Sequence, residues 1–196
     1  MIVGLTGKSC SGKDYFASQL PEDKVCVIDM DGLGHVALEN NKPELREAFG
    51  DSIFAPDGHV DRKILGPMVF SDPEKLSKLN QITHTWMRQE AMRIAGEAER
   101  EGKVAVINAA LLESMGCVGY CDQIVLVMAP YEERARRAYE RNGTSYEEFR
   151  KRSEAQQDIG LSLFKSGKKV IVIVNDEGKD SLSRQARFWC DTIWKG

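Results

Sequence analysis

Gly7, Gly12 and Lys13 stand at the spacing G-x-x-x-x-G-K, inside the stretch TGKSCSGKD that runs from Thr6 to Asp14. Glycines at both ends let the backbone wrap, so that the N–H groups of Lys8, Ser9, Cys10, Ser11 and Gly12 turn inward at phosphate oxygens. Lys13 adds a point charge toward the β- and γ-phosphates of a nucleotide, and a helix starting there adds its positive dipole end. The next position in such a loop ordinarily carries a Ser or Thr hydroxyl that ligates Mg²⁺. Here it is Asp14. A carboxylate is itself a hard oxygen ligand for Mg²⁺, which makes Asp14 a candidate metal residue. Its other use would be to favour the first turn of the helix, an effect of about 0.3–1 kcal/mol.

Two further groups of charged residues could share that chemistry. Asp29 and Asp31 follow an apolar run, two residues apart. One carboxylate there could take a proton from an attacking hydroxyl, while the other caps the next helix. Arg134, Arg137 and Arg141 recur at spacings of three and four on one face of a basic helix. A solvated face paired with Glu132, Glu133 and Glu140 accounts for Arg134 and Arg136. Arg141 stands beside the Asn142–Gly143 hinge and suits a lid that neutralises a transferring phosphoryl group. His35, His59 and His84 are scattered without metal spacing, and Trp86, Trp189 and Trp194 read as packing residues.

The elements that must position these groups alternate between strand and helix. Strands are expected over Ile2–Thr6, Val25–Ile28, Val104–Ile107, Ile124–Met128 and Val170–Val174, the last four read as buried. A helix should follow the glycine loop, from Gly12 to Leu20, and end before Pro21. Residues 33 to 102 are helical in pattern around a turn at Pro56–His59, and Met87, Ala91, Ile94 and Ala98 form one apolar face. The basic helix covers Tyr131–Arg141. Ser145 and Glu148 have capping-box spacing for the next one. A last helix aligns Leu182, Ala186, Trp189 and Ile193, with Asp180 or Ser181 as its cap. Such alternation implies a parallel sheet covered on both faces, with ligands beyond the C-terminal strand ends. The glycine loop, the DMD segment of Asp29–Asp31 and the NAALLES segment of Asn108–Ser114 should therefore converge.

Composition sets outer bounds. A chain of 196 residues, 42% hydrophobic and 29% charged, suits one globular domain with an insertion. The net charge of −3 supplies no basic field for nucleic acid or a membrane surface, so any anion must be held locally. Five cysteines without C-x-x-C pairing point to reduced thiols in the cytoplasm, and Cys117 and Cys121 read as packing residues or a chance surface pair.

Several segments together resemble dephospho-CoA kinase, a P-loop small-molecule kinase. GLTGKSCSGKD is similar to the family opening GLTGGIGSGKS, and VIDMDGLGH to its V-I-D-A-D segment. FGDSIFAPDGHVDRKILGPMVF followed by LNQITH resembles its substrate-domain signature and its LN-x-I-x-H-P. NAALLES stands in the place of D-x-P-L-L-F-E. The resemblance spans nearly the whole chain in order, and the substrate-domain signature separates the family from adenylate, shikimate and nucleoside kinases, which share only the core.

The resemblance implies a parallel sheet flanked by helices, with core segments at about residues 1–32, 103–141 and 166–196. It implies a helical acceptor-binding insertion at about 33–102 and a helical lid at about 142–165. The implied reaction moves the γ-phosphoryl of ATP, with Mg²⁺, to the ribose 3′-hydroxyl of dephospho-CoA. Lys13 would hold the phosphates, Asp31 would be the base and Arg141 the lid arginine, while His35, Arg62 and His84 would receive dephospho-CoA. The chain departs from the pattern at Lys8 and Cys10, where the family has glycines, so that a thiol is expected to face the phosphates. It departs again at Asp14, at Asn108 for an Asp, and at Ala110 for a Pro. One hypothesis joins two departures: the carboxylate lost at 108 is replaced near the metal by the one gained at 14. The alternatives are a kinase for another small-molecule hydroxyl, such as a nucleoside's, and a nucleotide-binding sensor that has lost transfer.

Overall fold

The computed structural model describes residues 1–155, 159 and 161–194. Five strands, β1 (Ile2–Thr6), β2 (Val25–Asp29), β3 (Val104–Asn108), β4 (Gln123–Met128) and β5 (Lys169–Val174), form one parallel sheet in the order β2-β3-β1-β4-β5. The helices are α1 (Lys13–Ser18), α2 (Met30–Asn40), α3 (Lys42–Phe49), α4 (Arg62–Phe70), α5 (Pro73–Arg100), α6 (Tyr131–Asn142), α7 (Tyr146–Ala155), α8 (Leu161–Phe164) and α9 (Lys179–Trp194). The chain divides into two compact units, one of Met1–Ile28 with Ile94–Gly196, the other of Asp29–Arg93.

In the first unit β1 is central. It pairs with β3 through Leu5 opposite Asn108 and with β4 through Thr6 opposite Leu126. The chain leaves β1 for β2 on one side and later returns to place β4 on the other, so the end of β1 is where the strand order reverses. That is the crevice at which ligands bind in such sheets. One layer of the core packs α1 and α9 on the strands, with Phe16 against Trp189 at 5.8 Å between ring centroids. The apolar face expected on the last helix is realised by Leu182, Ala186 and Trp189, while the side chain of Trp194 lies outside the described residues.

Two expectations are corrected. β2 and β5 are edge strands and only partly buried: Val27, Val172 and Val174 are exposed, because an edge strand has a neighbour on one side only. An uninterrupted apolar run cannot reveal this. The last helix begins directly after Gly178, so Asp180 and Ser181 lie inside its first turn and neither stands before it. The capping box holds: the Ser145 amide donates to Glu148 Oε2 at 3.0 Å, and the Glu148 amide to Ser145 Oγ at 3.3 Å. Cys117 and Cys121 are buried free thiols, and burial pushes the Cys121 thiol up to about 12, as packing residues require.

The second unit has its own apolar core of Leu45, Ile53, Val60, Leu65 and Val69. The expected turn at Pro56–His59 is present between Phe54 and Val60, which form an antiparallel bridge. Glu39 of α2 fastens it. Its carboxylate accepts from Lys42 Nζ at 2.7 Å, His59 Nδ1 at 2.9 Å and the Val60 amide at 3.1 Å. The Lys42 bond, helped by the other two, outweighs desolvation and draws the Glu39 carboxyl down to about 2.

Candidate active site

The glycine loop leaves β1 and closes onto α1. A side chain at Gly7 would collide with the Val127 carbonyl oxygen, and Gly12 turns at φ 101° with Asn175 Nδ2 packed where a Cβ would project. Neither position admits another residue without displacing backbone or a buried amide. Cys10 adopts the left-handed conformation at φ 61°. Its side chain packs against the cluster of Ala135, Ala138 and Phe149. The expectation that this thiol faces the phosphates is therefore corrected: the apolar contact with α6 and α7 draws it outward.

The outer side of the loop is held carbonyl by carbonyl. Arg134 Nη1 donates to the Ser9 carbonyl at 3.4 Å, Arg137 Nη1 to that of Cys10 at 3.4 Å, and Asn175 Nδ2 to that of Ser11 at 2.7 Å. Three successive carbonyls are thus fixed from this side, while the Ser11 amide donates to the Lys8 carbonyl at 3.0 Å, so the inward turn expected of all five loop amides is corrected at Ser11. Arg137 Nη2 also donates to the Asn175 carbonyl at 3.3 Å, which joins two of these supports. Arg134 is only 6% exposed, lies over the rings of Tyr131 and Phe149, and donates to Ser153 Oγ of α7 at 3.3 Å. The solvated-face account of Arg134 is thereby corrected. It holds for Arg136, whose guanidinium pairs with Glu133 at 2.8 Å and Glu140 at 2.6 Å.

At the mouth of the loop Lys13 is 7% exposed, and its Nζ lies 2.6 Å from Asp14 Oδ1 and 2.6 Å from Asn108 Oδ1. Asn108, at the end of β3, donates from Nδ2 to Asp14 Oδ1 at 3.1 Å. Partial desolvation alone would raise the Asp14 carboxyl, but hydrogen bonds from Lys13 and Asn108, with the charges of Lys13 and Arg141, hold it below its ordinary value. The two departures at 14 and 108 thus meet in space. Arg141 is exposed on the last turn of α6, where Gly143 closes the helix in the left-handed conformation at φ 68°.

Among the described residues no group of three or more His, Cys, Asp or Glu side chains could hold a metal ion. Mg²⁺ on a nucleotide needs only one or two carboxylates beside the phosphates, and the Asp14 side chain, 76% exposed, meets that requirement. Beside Gly12 an open cleft of about 530 Å³ is lined by Tyr15, Arg137, Asn175, Glu177 and Leu182, among others. Sequence reasoning passed over residues 175–178, although they follow directly on β5 and so lie at a ligand-binding strand end.

In the second unit Asp29 caps α2, its Oδ1 accepting from the Asp31 amide at 3.1 Å. The capping role falls to Asp29 and leaves the exposed Asp31 carboxylate in the first turn of α2 uncommitted to it. His35 is exposed on α2, and Arg62 is exposed at the start of α4 behind the cap residue Asp61. His84 is half-buried in α5, where burial and the nearby Arg88 charge push its imidazole below the usual value. Among the described residues, no hydrogen bond or ion pair joins His35, Arg62 and His84 to one another.

Comparison with known proteins decides the family. The family profile CoaE, dephospho-CoA kinase, matches residues 1–179. The chain belongs to the dephospho-CoA kinase family. A dephospho-CoA kinase of Geobacter sulfurreducens is 35% identical over an alignment of 200 positions, covering 98% of this chain and 96% of that protein. A protein of known structure from Thermus thermophilus is 32% identical with a TM-score of 0.79, over 98% of this chain and 97% of that one. The dephospho-CoA kinase structure from Campylobacter jejuni, 22% identical over 100% of this chain and 98% of that one, shares the fold with a TM-score of 0.74. As a member of this family the chain is an ATP-dependent phosphotransferase of the last step of coenzyme A synthesis. Among the described residues no helix is long and apolar enough to cross a membrane.

Proposed function

We propose that the chain transfers the γ-phosphoryl of ATP to the ribose 3′-hydroxyl of dephospho-CoA with the following division of labour. The loop of residues 8–12, apart from the Ser11 amide that donates to the Lys8 carbonyl, and the Lys13 ammonium bind the β- and γ-phosphates. Asp14 would hold Mg²⁺, which when bound neutralises phosphate charge. Asp31 accepts the proton of the 3′-hydroxyl as its oxygen forms the new bond to phosphorus and the bond to the β-phosphate oxygen breaks. Arg141 lies within electrostatic reach of Asp14 and supplies charge to the phosphoryl group in transit. His35, Arg62 and His84 receive dephospho-CoA, residues 33–102 are the acceptor-binding insertion, and α7 and α8 belong to the lid. Residues 156–158 and 160 of that lid lie outside the described residues. The five free cysteines suit the reducing cytoplasm as its location.

The observation that carries this reading is the buried Lys13 ammonium at the mouth of a loop whose carbonyls are pinned outward. ADP release from ATP should require both dephospho-CoA and Mg²⁺, and should vanish in Lys13→Ala. Equal release without dephospho-CoA, or with a nucleoside in its place, would overturn the acceptor assignment. ATP binding without any release would favour a sensor.

A further inference from the structure

Asn108 makes two bonds of opposite sense. Its Oδ1 accepts from the Lys13 ammonium at 2.6 Å, while its Nδ2 donates to the Asp14 carboxylate at 3.1 Å. An amide offers an acceptor and a donor on one planar group; a carboxylate accepts only, and an aliphatic group does neither. The reversed amide would set NH₂ against the ammonium and oxygen against the carboxylate, so both partners together dictate its orientation. Position 108 is also not free to drift. It ends β3 opposite Leu5, and the next residue donates its amide to the Leu5 carbonyl at 3.0 Å.

The three side chains sum to zero charge: one ammonium, one carboxylate and one amide. Lys13 and Asn108 are 7% and 6% exposed, so an unbalanced charge here is poorly repaid by water. We infer that Asn108 is a positioning residue which holds Lys13 directly and fixes its partner Asp14, and that positions 14 and 108 act as one carboxylate–amide unit whose members can be exchanged but not altered singly. The inference rests on the reading of Lys13 as the phosphate-binding ammonium. Asn108→Asp alone places two carboxylates beside one ammonium. Asp14→Asn alone leaves the ammonium with two amides. The exchange of both, Asp14→Asn with Asn108→Asp, returns to one of each.

The test is the complete cycle of four full-length proteins, measured in two ways. Melting is followed in EDTA without nucleotide, and kcat and KM for ATP are measured at saturating dephospho-CoA. Each single change should lower the Tm by about 3 °C or more. Each should also lower kcat/KM for ATP by about tenfold, the scale of one charge-assisted hydrogen bond. The exchanged pair should recover most of the Tm loss, whereas its kcat/KM for ATP stays low because the Asp14 carboxylate proposed for Mg²⁺ is gone, so the melting cycle decides; KM for dephospho-CoA should stay unchanged throughout. The decisive sign is that of Asn108→Asp: harmful in the parent and beneficial in Asp14→Asn. Effects of the same direction in both backgrounds would overturn the proposal. If Asn108→Asp alone does not fold, a folded exchanged pair supports the unit, and an unfolded pair refutes it. Loss of dephospho-CoA-dependent turnover already in the parent would count against the assigned reaction, while the melting cycle in EDTA still judges the unit itself.

Discussion

Around Lys13 the polar side chains other than Asp14 are buried, and they hold one another; in the unit of Asp29–Arg93 the residues assigned to the acceptor are exposed or half-buried. Lys13, Asn108, Arg134 and Asn175 are each fixed by contacts across 19 to 164 residues of chain. Asp31, His35 and Arg62 have no comparable mesh among the described residues, and the polar tie of their unit, Glu39 with Lys42 and His59, secures a turn. A phosphate chain is an anion of unvarying geometry, and donors placed in advance spare the cost of reorganising at the moment of transfer. Where the acceptor is proposed to bind, the side chains of Asp31, His35 and Arg62 carry no such prior fixing among the described residues.

The largest effect should come from the preorganised region. Lys13→Ala should lower kcat/KM for ATP by about 10³-fold in a coupled ADP assay, because it removes the ammonium and leaves the Asp14 carboxylate beside the phosphates with the Asn108 amide but no cation against it. A loss of less than tenfold would dissolve the contrast. Asp31→Asn should lower kcat by about 10²-fold with KM for ATP unchanged, since a base acts in the chemical step. A raised KM for ATP with kcat intact would move Asp31 out of that role.

Arg134→Gln keeps a donor but loses the guanidinium fork. KM for ATP should rise about tenfold, and amide exchange at residues 9–11 should quicken, because a carbonyl support is weakened. Exchange left unaltered would show that Arg134 serves the lid alone. Asp29→Ala should cost about 1 kcal/mol of stability as a lost helix cap, read as a Tm lower by a few degrees with KM for ATP retained.

The smallest effect belongs to the turn. The Glu39 carboxyl is depressed from 4.5 to about 2, so its contribution is fully present above pH 4.5 and is lost as the pH falls through 2. Glu39 is partly solvated, which reduces the contribution. Glu39→Gln should therefore lower Tm slightly at pH 7, with the difference from the parent vanishing near pH 2. A constant difference across that window would place the effect in packing.

The glycine loop, the strands, the turn at Pro56–His59 and the Ser145–Glu148 box were legible in the chain because each depends on residues within a few positions of one another. Short-range rules apply there: glycine conformation, period-two and period-3.6 patterning, and capping. The same rules left open which of Asp29 and Asp31 caps α2. They also assigned Arg134 to solvent, because one face of a helix reads alike whether it meets water or another element. The meeting of Asp14 with Asn108, 94 residues apart, and of Ser11 with Asn175, 164 apart, carries no local signal. Those contacts follow from the order β3-β1-β4-β5, which brings the ends of distant strands around one loop. By itself, then, the amino-acid sequence determined that a phosphate-binding loop stands at the end of a strand in a parallel sheet. Only the tertiary structure decided which carbonyls are pinned and which side chains hold Lys13, because burial and strand order, not spacing along the chain, select those partners.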